Sequence, residues 1–170
     1  IQVQSKEGEL KMGESLKEEF KRFLKNLEMP KDGKIVTGGR RVAIKDLMSV
    51  VQMLEYSAKN MSEATIGVVL SRIGRLIATR ELANVKADSK ELVRLCFKNL
   101  SIKGWGVFVS NPNPNGETVT LENSAIAQEY PNKGLKVDYI AVGMISAIYE
   151  KAFNRRYLVR EVECVANGDK

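Results

Sequence analysis

Residues 138–169, DYIAVGMISAIYEKAFNRRYLVREVECVANGD, contain the pattern that decides the fold of this chain. The first half of this stretch is apolar with helical spacing and includes one glycine, Gly143. A short basic turn follows, and residues 156–166 then alternate in the manner of a β-strand before a Gly-Asp turn. The stretch therefore predicts a helix over residues 138–153 and a final strand over residues 156–166.

The sequence before this stretch changes from mostly helical to mostly strand-like periodicity. Two hairpins are predicted, one around Gly38-Gly39 and one around the Asn-Pro-Asn-Pro-Asn-Gly turn at residues 111–116, while residues 123–130 could extend the second hairpin or turn. Helices are predicted over about residues 15–28, 46–59, 62–82 and 88–100. This order is typical of an α+β fold with an antiparallel sheet packed against helices. We expect a flexible tail over residues 1–13 and a single domain over residues 14–170.

Composition limits the possible chemistry. The chain has no histidine, which excludes Ser-His-Asp and Cys-His catalysis and every zinc site that needs imidazole. No apolar run is long enough to cross a bilayer and the N-terminus does not look like a signal peptide, so we expect a cytoplasmic protein without a membrane partner. The net charge is +6, but basic and acidic residues are interleaved, which favours a solvated surface over a nucleic-acid footprint.

The predicted helix over residues 62–82 has an unusual stripe of small side chains. Its members recur at intervals of three and four residues: Ala64, Gly67, Ser71, Gly74 and Ala78. Glycine inside a helix costs roughly 1 kcal/mol relative to alanine, so a close contact should offset that cost. The stripe either packs tightly against another helix, in the core or in a homodimer, or lines a groove for a flat or linear ligand. Gly143 in the last helix is its simplest partner.

The C-terminal stretch resembles the 4-vinyl reductase domain, also called the hydrocarbon-binding domain, and most closely its small stand-alone archaeal type. The matching residues are Asp138-Tyr-Ile-Ala-Val-Gly143-Met-Ile-Ser-Ala, Arg156, Val159 and Glu161-Val-Glu163-Cys164-Val-Ala-Asn-Gly168-Asp169. The resemblance implies a twisted antiparallel sheet packed on helices, similar to TRAPP subunits and often dimeric. It also implies a relation to sensing modules that respond to aromatic compounds.

The resemblance further implies that a zinc ion is possible, because the sensor members look like zinc binders. In their pattern the first Cys falls on Asp138, and Cys164 matches the third ligand. The acid four positions before Cys164 falls on Arg160, which cannot bind a cation, and the final Cys would lie beyond residue 170. Asp138 and Cys164 are therefore the candidate ligands, with Glu161, Glu163 or a second subunit needed to complete a site. The alternatives are that Asp138 caps the helix and that Cys164 points into the core.

The function predicted from these observations is non-catalytic binding or sensing of a small hydrophobic or aromatic molecule. Trp105 and Tyr149 could stack on such a ligand. The alternatives are a homo-oligomeric scaffold without a ligand, and a vinyl reductase, for which no glycine-rich nucleotide fingerprint is present. No catalytic residue is predicted. The candidate ligand-binding residues are Gly67, Leu70, Gly74, Trp105, Phe108, Ile140, Met144 and Tyr149.

Overall fold

The computed structural model confirms the α+β class. It describes residues 17–28, 35–37, 40–42, 47–83, 85, 89–113, 116–130 and 134–169, so the predicted tail at 1–13 lies outside the described residues. The helices are α1 (17–25), α2 (Leu47–Asn60), α3 (Glu63–Leu82), α4 (Ser89–Ile102), α5 (Ala125–Glu129) and α6 (Tyr139–Phe153), and a 3-10 turn spans Val165–Asn167. The strands are β1 (Leu27–Glu28), β2 (Ile35–Thr37), β3 (Arg40–Val42), β4 (Val107–Asn113) and β5 (Gly116–Glu122). Among these described helices, none has the length and apolar character needed to cross a membrane.

Both predicted hairpins are present. β2 pairs antiparallel with β3, with Thr37 opposite Arg40, and β4 pairs antiparallel with β5, with Val107 opposite Glu122. β1 adds a short strand to the first hairpin, so the predicted helix over 15–28 is wrong at its last three residues, a turn at 26 and the strand at 27–28. In the described part of the chain the strands therefore form two small separate sheets.

The predicted final strand over 156–166 is wrong. Residues 155–164, which we name the C-terminal arm, pair with no strand in the described structure, and a 3-10 turn follows them. Alternation of side chains favours extended backbone, but a strand also needs a neighbouring edge. Side chains hold the arm instead: Ser146 Oγ donates to Tyr157 O at 3.1 Å, and Lys136 Nζ donates to Glu161 O at 3.0 Å.

Residues 125–129 form a helix that sequence periodicity did not predict. Asn123 lies at a positive φ of 53° and turns the chain out of β5. Ser124 then acts as the N-cap of α5, since its Oγ accepts a hydrogen bond from Ala127 N at 3.2 Å. This short helix brings Ser124 to the start of α6, where it contributes to the site described below.

The small-residue stripe of α3 packs against α6 within the same chain. A Cβ added at Gly74 would lie 2.0 Å from Ile140 O, and one added at Gly143 would lie 2.0 Å from Ser71 O. The two backbones are therefore in direct contact, which confirms the prediction of close helix packing and identifies Gly143 as the partner. Arg75 adds a polar link at the edge of this contact, donating to Ser146 Oγ at 3.0 Å and to Glu150 Oε1 at 2.6 Å.

The core is built around α6. Its Met144 and Ile148 are almost completely inaccessible to solvent, at 0% and 2% exposure. Tyr149 contacts the rings of three aromatic residues, Phe97, Phe153 and Tyr157. Phe97 in turn contacts the ring of Phe108 in β4. The same helix thus supplies the packed core and, through residues that also belong to that core, the floor of an open cavity.

Candidate functional site

A slot of about 750 Å³ lies between β5 and the C-terminal arm. Residues 117–121 of β5 form one wall and residues 157–164 of the arm form the other. The floor is formed by four residues of α6, of which Val142 is half-buried and the other three are buried: Ala141, Val142, Ile145 and Tyr149. The arm does not pair with β5. The position beside β5, which a third strand of the β4–β5 sheet could occupy, is therefore open. We refer to this cavity as the slot.

Tyr149 places a polar atom in an otherwise apolar floor. The residue is only 3% exposed, and its hydroxyl is buried without a hydrogen-bond partner in the described structure. Burial and the nearby Glu117 carboxylate raise the pKa of Tyr149 far above its usual range, so the phenol stays protonated. Glu117 itself accepts a hydrogen bond from Ser110 Oγ across the hairpin. This end of the slot therefore holds a buried hydroxyl beside a carboxylate.

The other end of the slot brings together two carboxylates and a thiol. One donor atom from each of Asp138, Glu161 and Cys164 lies within 4.8 Å of the other two. Asp138 begins α6 and Ser124 Oγ donates to its Oδ1 at 2.7 Å. Asp138 N donates to Glu161 Oε2 at 3.1 Å, which ties the arm to the helix. We name these three residues the acid–thiol cluster.

The alternative interpretation of Asp138, that its side chain caps α6, is wrong. It occupies the N-cap position, but its side chain makes no capping hydrogen bond to the helix backbone. Its carboxylate turns to Ser124 instead, and so belongs to the cluster. Cys164 is buried, as the core alternative predicted, yet its sulfur lies beside the two carboxylates.

Burial raises the pKa of all three groups in the acid–thiol cluster. It raises the pKa of Asp138, against a smaller lowering by the Ser124 hydrogen bond. It likewise raises the pKa of Glu161, and it raises that of Cys164 to about 11 with a further contribution from Glu161. Glu161 Oε1 is buried with no hydrogen-bond partner among the described residues. A buried carboxylate oxygen without a donor is costly, and a proton or a cation would relieve that cost.

The donor set fits a zinc ion with an open position. Zinc accepts Cys sulfur and carboxylate oxygen, and three protein ligands plus one exchangeable ligand is a common arrangement. The predicted ligands Asp138 and Cys164 are both in the cluster, and Glu161 rather than residue 160 supplies the third donor. Arg160 is exposed and lies outside the cluster. Cys96, the other cysteine, is half-buried on α4 away from these residues, and burial raises its pKa to about 11.

The eight predicted ligand-binding residues do not surround one cavity. Tyr149 lines the slot, and Gly67 lines a shallower groove on the opposite side of the arm, against the Tyr139 ring. The remaining six lie in the packed core or against it: Leu70, Gly74, Trp105, Phe108, Ile140 and Met144. Sequence reasoning missed Glu117, Val119, Ile145 and the arm, because only the placement of β5 opposite the arm brings them together.

Comparison with known proteins supports the fold. No family model matches this sequence, and no curated protein matches it, so the 4-vinyl reductase resemblance stays a prediction. Among solved structures, the chain is similar to the crystal structure of the phenol-responsive sensory domain of the transcription activator PoxR with phenol. The TM-score is 0.60 at 16% identity, over 90% of this chain and 85% of that one. The chain therefore has a fold similar to that of this domain.

Proposed function

We propose that this chain is a non-catalytic module that binds a small, largely apolar molecule in the slot. The observation that carries the proposal is the Tyr149 hydroxyl, buried and unpaired in the floor of a cavity of about 750 Å³. Ligand sites commonly have volumes of roughly 300–1,000 Å³, apolar walls and a few polar anchors. The phenol-responsive domain of similar fold adds support, and so does the resemblance to the 4-vinyl reductase domain.

The affinity for such a ligand would come from burial of its apolar surface and from one hydrogen bond to the Tyr149 hydroxyl. The floor residues Ala141 and Ile145 would remove apolar ligand surface from water, which contributes about 25 cal/mol per Å². The buried hydroxyl of Tyr149 lacks a partner, which costs about 1–3 kcal/mol, and a ligand that pairs with it would recover that free energy.

Removal of this hydroxyl tests the proposal. We expect Tyr149→Phe to leave the free energy of unfolding unchanged or slightly higher, because an unpaired buried group is lost. The same change should weaken binding of a slot ligand with a polar group by about tenfold, the value of one hydrogen bond. Calorimetric titration and urea unfolding measure the two effects.

Tyr139→Phe is the matched control. Tyr139 also lies on α6, but its hydroxyl donates to Glu63 Oε1 at 2.8 Å and faces the groove rather than the slot. Its loss should not change ligand affinity. A stable Tyr149→Phe protein that binds every ligand as tightly as the wild type would contradict the proposal.

A second candidate function is zinc binding at the acid–thiol cluster, favoured by the unpaired Glu161 Oε1. The cluster lines one end of the slot and joins the arm to α6. A bound cation would supply charge to pair with the two carboxylates and would hold the arm in place. Asp138, Glu161 and Cys164 would be its ligands, and the open position would let the ion act as a polar anchor for the slot's ligand.

We also propose that the chain acts as a homodimer in the cytoplasm. The centre of the small-residue stripe, at Gly74, is covered by α6 and is not available to a second subunit. α3 carries another apolar face that is exposed, with Val69 at 45%, Ile73 at 41% and Leu76 at 63%. Light scattering should show a dimer that Leu76→Lys converts to a monomer. A wild-type protein that is monomeric at high concentration would rule the dimer out.

A further inference from the structure

The slot has a charge opposite to that of the whole chain. The chain has 27 basic and 21 acidic residues, a net charge of +6. Among the residues that line the slot, only Arg160 is basic. The acidic ones outnumber it five to one: Glu117, Asp138, Glu161, Glu163 and Asp169. Walls of one sign around an apolar floor concentrate ligands of the opposite sign.

A buried polar atom marks where the charged group of a ligand would lie. The Tyr149 hydroxyl, which has no partner, is next to the Glu117 carboxylate, and the floor beyond it is apolar. Glu117 is exposed at the edge of the slot, so its carboxylate is reachable from solvent. A hydroxyl oxygen and a carboxylate can both accept hydrogen bonds from one donor-rich group.

We propose that the slot selects amines, that is, molecules with an apolar body and a protonated amino group. This inference depends on the proposed function, because it names the ligand class of the same cavity. The ammonium group donates to the Glu117 carboxylate and to the Tyr149 oxygen, while the apolar body covers Ile145 and Ala141. Ammonium has three donors and no acceptor, which matches the acceptors that the Glu117 carboxylate and the Tyr149 oxygen offer.

The same charges act against the other ligand classes. A carboxylate or phenolate would enter a cavity whose walls already repel it. A neutral alcohol can pair with Tyr149 but gains nothing from the wall charges. A divalent ion at the acid–thiol cluster, with Cys164 as thiolate, would still leave the slot walls net negative.

Three probes of matched size separate these possibilities: 2-phenylethylamine, 2-phenylethanol and phenylacetate, titrated into the full chain at neutral pH and low salt. We expect the amine to bind at least about tenfold more tightly than the alcohol, and the carboxylate to bind weakest. If the alcohol binds as tightly as the amine, the charge inference is wrong and the proposed function stands. If none of the three binds, both are wrong.

A variant that removes the charge of Glu117 tests whether the amine is recognised at this end of the slot. Glu117→Gln should weaken amine binding by about fivefold and leave alcohol binding unchanged, because it removes the charge and keeps the shape. Glu122→Gln is the matched control, since Glu122 is exposed on the same strand but does not line the slot. Equal effects of the two variants on the amine, or equal loss of amine and alcohol in Glu117→Gln, would overturn recognition at this end of the slot.

Discussion

Replacing Gly74 with alanine should destabilise the protein by about 3 kcal/mol or more, the upper range for overpacking a core. The added Cβ would lie 2.0 Å from Ile140 O, a backbone atom in the first turn of α6. No rotation of a side chain relieves such a contact, so α3 and α6 would have to separate. Urea unfolding followed by circular dichroism measures the change in the free energy of unfolding.

Gly67→Ala on the same helix is the matched control. Its Cβ would meet the Tyr139 ring, with Cε1 at 3.0 Å, and that side chain can shift. Alanine also favours the helix by about 1 kcal/mol over glycine, which offsets part of any strain. Gly143→Ala should behave like Gly74→Ala, because its Cβ would lie 2.0 Å from Ser71 O. Similar stabilities for Gly67→Ala and Gly74→Ala would contradict direct contact of the two helix backbones.

Replacing Cys164 with serine should lower zinc affinity by at least about 100-fold, since loss of even an outer partner of a metal ligand costs 10–100-fold. Zinc affinity in the wild-type protein should also rise with pH. Zinc requires the thiolate, and the pKa of Cys164 is raised to about 11, so the proton competes at neutral pH. Below that pKa each unit of pH increases the thiolate fraction about tenfold, and affinity should follow.

Competition with a chromogenic chelator measures both effects. Cys96→Ser is the control, because Cys96 lies on α4 outside the acid–thiol cluster and should not change zinc affinity. Glu161→Gln should also weaken binding, since it removes one of the three donors. Equal zinc affinity in Cys164→Ser and Cys96→Ser, or affinity independent of pH, would exclude the cluster as a zinc site.

Local patterns predicted the elements that depend on local interactions. Ser62 was predicted to begin α3, and its Oγ accepts from Thr65 N at 3.3 Å. The paired glycines at 38–39 separate two strands in register, although the turn itself lies outside the described residues. The contact of Gly143 with α3 was also predicted, because small residues on both helices let their backbones approach closely.

The elements that were missed depend on tertiary contacts. The arm alternates like a strand, but whether it pairs is decided by its distance from β5, which no local pattern records. The acid–thiol cluster was found in part, since Asp138 and Cys164 came from the family resemblance and Glu161 remained one option among several. Glu117 could not be predicted, because an acid on an exposed strand looks the same whether or not a cavity lies beside it.

Hydrogen exchange with and without a bound ligand tests the slot most directly. With the tightest of the three phenyl probes at saturation, amide exchange should slow in β5 and in residues 157–164, the two walls of the slot. Binding that leaves these amides unchanged, or that slows exchange only around Gly67 and Tyr139 in the opposite groove, would show that the ligand site lies elsewhere.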